Sequence, residues 1–271
     1  MNNYFNPRPK ATFGKGSQDE ITLKKYDPDE TIEQVKIRGL TSIIIPAYFL
    51  NYPVFHQTGN CIGSIREHTD KEKTPYEIIL VINGETGIGF KEPYTDTYCD
   101  KVIQNPENLG YAKAVNQGIR ASKGEYIAII NNDVQVFNNW LPDLQEALGQ
   151  IDLIEATPMY GMPFARAVEA KALRDKTREQ RIEETFTNFR DFSCVLAKKS
   201  LFDEIGLFDE EFFMYGEDID LVKRLEAVGK KDASTKRVNV HHIIGSTSFG
   251  MEETPELMNK AKERLKAKWG I

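Results

Sequence analysis

The sequence predicts an α/β fold with a mostly parallel central sheet flanked by helices, and three observations predict it. Short apolar runs at Thr41–Tyr48, Tyr76–Ile82, Lys101–Gln104 and Tyr126–Ile130 alternate with segments of helical character. That is the order from which parallel sheets with right-handed crossovers are built. The longer runs are continuously apolar, as in strands covered on both faces. The stretch from Asn108 to Val134 shows one whole unit: a loop, a helix with Ala112, Val115 and Ile119 on one face, then Gly124, expected to supply a left-handed stop. A buried strand and the polar triplet Asn131-Asn132-Asp133 follow. In open α/β sheets ligands sit just beyond the carboxyl ends of the strands. A carboxylate at that place is suited to hold a hard divalent cation against a diphosphate.

Residues 1–39 are polar and punctuated by Pro7, Pro9, Gly14, Gly16 and Pro28, an extension with one short helix expected within Asp29–Val35. Thr41–Tyr48 opens the domain as a β-branched strand, expected to end at Pro46, which has no N–H for a central ladder. A helix is expected around Asn60–His68. The second strand, Tyr76–Ile82, runs into a turn at Asn83-Gly84-Glu85, and Lys101–Gln104 is a third, shorter strand. A helix over 139–150 is expected to start at Asn138 or Asn139, with Pro142 tolerated in its first turn. Ile151–Thr157 reads as a strand, and 165–187 as a charged, helix-prone stretch, a solvated helix by its residues alone. Phe192–Ala197 is another strand, Lys199–Ile205 a short helix stopped by Gly206. Gly216 opens a helix with the stripe Leu221, Val222, Leu225 and Val228, ended by Gly229. The last helix, Glu253–Lys268, sets Leu257, Met258, Ala261, Leu265 and Trp269 against many lysines. It is expected to pack on the domain, with peripheral membrane contact as the alternative.

These elements divide the chain into an N-terminal extension (1–39), a central α/β domain (40–250, with halves at about 40–137 and 138–250) and a C-terminal amphipathic helix (251–271). At 271 residues the chain is long enough to bury a large core. A net charge of -6 and a pI near 5.4 argue against a general nucleic-acid binder. Cys61, Cys99 and Cys194 are odd in number and lack metal-ligand spacing, so reduced thiols and a cytoplasmic location are expected. No apolar run approaches the roughly 20 residues of a membrane span.

Four stretches, in this order and spacing, resemble the glycosyltransferase family 2 type of GT-A enzymes, especially its rhamnosyltransferase-like members. They are Ser42–Tyr48; Asn108-Leu-Gly-Tyr with Asn116; Ile130–Asp133; and Gly206–Asp220. The resemblance covers about residues 41–250. It implies a GT-A fold and an inverting transfer of a sugar from a nucleotide-diphosphate donor to a hydroxyl acceptor on a glycan, protein or lipid. It implies donor contacts at Pro46, Ala47, Tyr48, Asn83, Asn108, Gly110, Lys113, Asn116, Asn131 and Asn132. It places Mn²⁺ or Mg²⁺ at the triplet, on Asp133, and assigns a metal- or diphosphate-contacting histidine, His241 or alternatively His242. The pair Glu217-Asp218 carries catalysis, with Asp218 as general base. The chain departs from the family at two points. Ile82 stands where an aspartate usually contacts the nucleobase, which leaves the base unspecified, and Asn131 replaces a carboxylate.

Read without the resemblance, Glu217 and Asp220 are ordinary first-turn acids favoured by the helix dipole, and Asp220 is in register to pair with Arg224. Adjacent histidines in an extended chain point to opposite sides, so one at most faces a site there. Gly245-Ser-Thr-Ser is either a phosphate-facing loop or a plain turn. A sugar-nucleotide-binding scaffold and a nucleotidyltransferase are the rival readings. The second would need a glycine-rich loop after the first strand, where the sequence has Pro46-Ala-Tyr-Phe-Leu-Asn.

Overall fold

The computed structural model describes residues 37–85, 98–149, 151–160, 186–187, 191–243 and 251–271. The strands are β1 (Ile37–Phe49), β2 (Tyr76–Glu85), β3 (Lys101–Asn105), β4 (Gly124–Ile130), β5 (Val134–Gln135), β6 (Leu153–Met159), β7 (Phe186–Thr187), β8 (Cys194–Lys198) and β9 (Asp232–His242). The helices are α1 (Tyr52–His68), α2 (Tyr111–Ala121), α3 (Trp140–Leu148), α4 (Lys199–Ile205), α5 (Glu217–Ala227) and α6 (Thr254–Trp269). Most of the extension, the 165–185 stretch and the Gly245 turn lie outside the described residues.

One sheet runs in the order β3-β2-β1-β4-β8-β6-β9-β5, with β7 on β9. Its first half, β3-β2-β1-β4, is parallel throughout. β8 is inserted antiparallel between β4 and β6, and β6 and β9 are again parallel. The expected apolar runs split by alternation between two layers. Ile43, Ile45, Ile78, Leu80, Ala128 and Ile130 pack with Cys61, Ile62, Ile65, Trp140 and Leu144 of α1 and α3. Ile44, Ile79, Val81, Ile127 and Ile129 pack with Ala112, Val115, Leu201, Leu221 and Leu225 of α2, α4 and α5. Each fully buried isoleucine contributes about 1.5–3 kcal/mol of transfer free energy. Gly118 lets α2 lie close to the sheet, since a Cβ there would come 2.4 Å from Ile44 Cγ2.

Three local expectations are corrected. β1 does not end at Pro46: it continues to Phe49, with Pro46 opposite Val81. On the β4 side the ladder stops at Ile44↔Ile129, so Pro46 has a strand partner on one side only, the edge condition that tolerates proline. Gly124 is not a left-handed stop but the first residue of β4. α2 ends at Ser122, whose Oγ donates to Ile119 O at 2.6 Å. Glycine is needed at 124 because a Cβ would come 2.6 Å from Ser42 N and 2.7 Å from Leu40 O. Asn139 precedes α3 in the left-handed region (φ 64) without capping it through its side chain. Asn138 instead bonds His68 Nδ1 at 2.7 Å.

Candidate active site

The order of strands reverses between β1 and β4, since β2 and β3 extend to one side of β1 and β4 lies on the other. Ligand crevices form at such switch points. Here the two strands part after Ile44 and Ile129, and a cleft of about 550 Å³ opens at their carboxyl ends. Pro46, Ala47 and Tyr48 of β1, Asn83 and Asn108, and the triplet Asn131, Asn132 and Asp133 line it on one side. Glu217 and Asp218 of α5, His242 of β9, and Asp191 line it on the other. The two aspartates, 133 and 218, therefore open onto one cavity.

The first wall is held by amides. Asn83, at the end of β2, is the hub: its Nδ2 donates to Asn108 Oδ1 (2.9 Å) and Gly110 O (3.0 Å). Its Oδ1 accepts from Asn105 Nδ2 (2.9 Å) and Leu109 N (3.1 Å). Asn105 and Gln117 exchange a reciprocal pair of bonds at 2.8 and 2.9 Å. Tyr111 Oη donates to Asn131 Oδ1 at 3.0 Å.

The triplet is set from below by α1, on which a polar side chain recurs every third residue. Thr58 Oγ1 accepts from Asn132 Nδ2 (3.0 Å), Cys61 Sγ donates to Asn131 O (3.6 Å), and Ser64 Oγ accepts from Val136 N (3.0 Å).

The opposite wall is built of acids. Pairing of Val134 with His242, and the bond from Ile243 N to Asp133 O at 3.1 Å, bring β9 against the triplet. His242 Nε2 lies 3.2 Å from Asp133 Oδ1, and His242 Nδ1 lies 2.9 Å from Asp191 Oδ2. Burial alone would lower the imidazole, but hydrogen bonds to Asp133 and Asp191 carry it up to about 9. Asp191 also accepts from Tyr160 Oη and from Ser193 N and Oγ. These bonds and that of His242 outweigh burial and hold it well below the usual carboxylate range. Beneath it, Glu155 Oε1 accepts from Asp191 N (2.9 Å) and Phe192 N (2.6 Å), fixing a turn in which Phe192 sits at φ 54. Burial pushes Glu155 up, the neighbouring Asp191 adding to it.

Glu217 and Asp218 begin α5. Burial, then the charge of Asp218, pushes Glu217 up to about 8, and its Oε2 is buried without a hydrogen-bond partner. Burial also raises Asp218, against the backbone N–H groups of the helix start.

Four expected site residues are not on the cleft. Lys113 is exposed on α2. Asn116 is interior: its Nδ2 donates to Phe208 O and Glu210 Oε1, and its Oδ1 accepts from Phe208 N. It clamps α2 to the loop before α5. Gly110 serves by lacking a side chain, since its Cβ would meet Phe213 O at 2.6 Å. His241 lies opposite Gln135 in the β5–β9 ladder and does not line the cleft, whereas His242 lines it and lies 3.2 Å from Asp133. Sequence reading missed Asp191, Glu155 and Tyr111. The only signal for the first was an acid placed directly before an apolar run.

Among the described residues no group of three His, Cys, Asp or Glu side chains is arranged to hold a metal. The carboxylate of Asp133 and the imidazole of His242, 3.2 Å apart at the cleft wall, fit a cation whose remaining positions are filled by ligand oxygens and water.

A mixed sheet in this strand order, with a crevice at its switch point and helices on both faces, is an α/β architecture of the GT-A type. Residues 42–206 match the family model described as Glycosyl transferase family 2, and the chain belongs to that family. It is a glycosyltransferase. It is 26% identical over 249 residues to an N-acetylglucosaminyl-diphospho-decaprenol L-rhamnosyltransferase of Mycobacterium tuberculosis, covering 75% of this chain and 78% of the relative. It is 25% identical over 260 residues to the O-antigen biosynthesis protein RfbC of Myxococcus xanthus, covering 86% of this chain and 20% of that one. Among solved structures, GalNAc-T7 with UDP, GalNAc and Mn²⁺ superposes with a TM-score of 0.59 at 15% identity. The match covers 84% of this chain and about half (49%) of that one. Residues 1–349 of S. aureus TarS with UDP give 0.54 at 16%, covering 83% and 65%. Among the described residues no helix is long and apolar enough to cross a membrane.

Proposed function

We propose that the cleft moves a sugar from a nucleotide-diphosphate donor to a hydroxyl on a glycan, protein or lipid-linked acceptor, inverting the anomeric centre, with Asp218 as general base. The observation that carries this is the opening of Asp133 and Asp218 onto one cavity. A sugar hydroxyl is a poor nucleophile, and a carboxylate within hydrogen-bond reach that takes its proton contributes roughly 10²–10⁴ in rate. Burial suits Asp218 to that task by raising its basicity. Pro46, Ala47, Tyr48, Asn83 and Asn108 hold the nucleotide half of the donor, with Asn131 beside the diphosphate. Asp133 and His242 would hold a divalent cation, Mn²⁺ or Mg²⁺. Asp191, bonded to His242 Nδ1, directs Nε2 toward it, as outer carboxylates do for ligating histidines. When bound, such a cation offsets the negative charge that develops on the departing diphosphate. The UDP and Mn²⁺ in the GalNAc-T7 structure support this reading.

Calorimetry with a panel of nucleotide sugars in Mn²⁺, followed by product detection and NMR of the anomeric proton, tests it. One donor is expected to bind and be consumed with inversion, and chelation by EDTA is expected to stop turnover. Donor binding without transfer or hydrolysis would favour a scaffold, and full turnover in EDTA would remove the cation from the mechanism.

A further inference from the structure

The C-terminal helix reads at first as a separate appendage, yet its beginning lines the cleft and its end is bonded to α5. Its beginning supplies Thr254 and Met258 to the cleft that holds Asp133 and Asp218. Its end reaches the underside of α5. Asp220 is fully buried. Its Oδ2 accepts from Arg224 Nε at 2.9 Å, and its Oδ1 accepts from Trp269 Nε1 at 2.9 Å and Lys268 Nζ at 2.7 Å. Lys268 and Arg264 also share Asp209, each at 2.8 Å. Successive residues of a helix are about 100° apart. Asp220 therefore points about 200° away from Asp218, toward α6 when Asp218 faces the cleft.

The start of α5 needs such an anchor. The chain enters it through two left-handed residues, Tyr215 (φ 70) and Gly216 (φ 84), and no side chain caps the helix. A tyrosine in that region persists only where its surroundings determine it. The surroundings here are α6: Phe212 packs on Ala261 and Leu265, with Tyr215 and Trp269 against them. A Cβ at Gly216 would come 3.2 Å from Leu265 Cδ1. The indole N–H and lysine ammonium that a membrane-surface helix would present to headgroups are instead bonded to buried Asp220.

We propose that α6 is part of the catalytic apparatus: through Lys268 and Trp269 it holds Asp220, and with it the first turn of α5, so that Asp218 stays in the cleft. Asp220, Lys268 and Trp269 are positioning residues. The proposal rests on the reading of Asp218 as base.

Trp269→Phe keeps the packing and removes one hydrogen bond, Lys268→Met removes the ion pairs to Asp220 and Asp209, and Lys268→Arg restores the charge. The measurements are thermal melting, calorimetric Kd for the nucleotide sugar, kcat, and hydrogen exchange of amides 215–221. Expected are cooperative melting and a Kd within about twofold of wild type, with kcat lowered about tenfold or more, because small misplacements of reacting groups cost up to about 10²-fold. Exchange over 215–221 rises, and Lys268→Arg recovers both. A kcat within about twofold of wild type in Trp269→Phe and Lys268→Met overturns the proposal, as does loss of the fold in all three variants, which makes the contact purely structural. If the wild-type chain transfers no sugar, the base reading fails separately. Exchange over 215–221 then decides the clamp, and no change there overturns it.

Discussion

The two walls of the cleft are made of different chemistry. On one side, Asn83, Asn105, Asn108 and Gln117 bond one another and the backbone, so the wall is complete by itself and has no charge to titrate. On the other side, Asp191 is bonded to His242, Glu217 Oε2 is buried without a hydrogen-bond partner, and burial raises both Glu217 and Asp218. The difference teaches which wall is preformed and which depends on what it binds. Buried amide networks stabilise when fully satisfied, whereas crowded acids become comfortable only when a proton, cation or substrate joins them.

Four substitutions break or sharpen that contrast. The largest effect is expected for Asp218→Asn, which removes the proposed base and keeps the shape: kcat falls by about 10²–10⁴, while the donor Kd measured by calorimetry stays close to wild type. In the wild type the acidic limb of the pH–rate profile lies above the ordinary aspartate range, because burial raises Asp218 and the carboxylate form is the active one. Next comes Asp191→Asn. Loss of the carboxylate that orients His242 is expected to weaken Mn²⁺ activation by about 10–100-fold, read from the Mn²⁺ concentration giving half-maximal rate.

Glu217→Gln tests the acid wall through stability. Folded Glu217 keeps its proton up to about 8, whereas the unfolded chain releases it near the ordinary glutamate value of 4.5. Between those limits the folded state binds more protons, so rising pH lowers stability by an amount on the order of a few kcal/mol. Urea midpoints at pH 5 and pH 9 are expected to differ less in the variant than in the wild type. The smallest effect belongs to the amide wall. Asn83→Ala leaves buried partners unsatisfied and costs about 1–3 kcal/mol, by the same amount at both pH values. A marked pH dependence of that loss would contradict the contrast.

Much of this was legible in the sequence, for physical reasons. Runs such as Ile43-Ile-Ile45 and Ile78-Ile-Leu80 must be covered on both faces, and the sheet covers them so. The Asp220–Arg224 pair followed from helical spacing alone. Positions decided by packing between distant segments were hidden. Gly124 was read as a helix stop because its local neighbours allow that, while its actual constraint is Ser42, far away in the chain. Asn116 looked like a ligand contact because polar residues in a motif invite that reading. Its amide instead bonds Phe208, a partner no local pattern reveals. The choice between His241 and His242 depended on the β5–β9 register, which only the folded sheet supplies.

The ladder of Thr58, Cys61 and Ser64 beneath the triplet has an evolutionary consequence. Three contacts spaced three residues apart all depend on one angular setting of α1. Inserting or deleting a single residue among them would turn part of the helix by about 100° and withdraw the remaining contacts together. Descendants of this chain can therefore vary in length ahead of Tyr52 or beyond His68, while the span from Thr58 to Ser64 stays fixed in residue count.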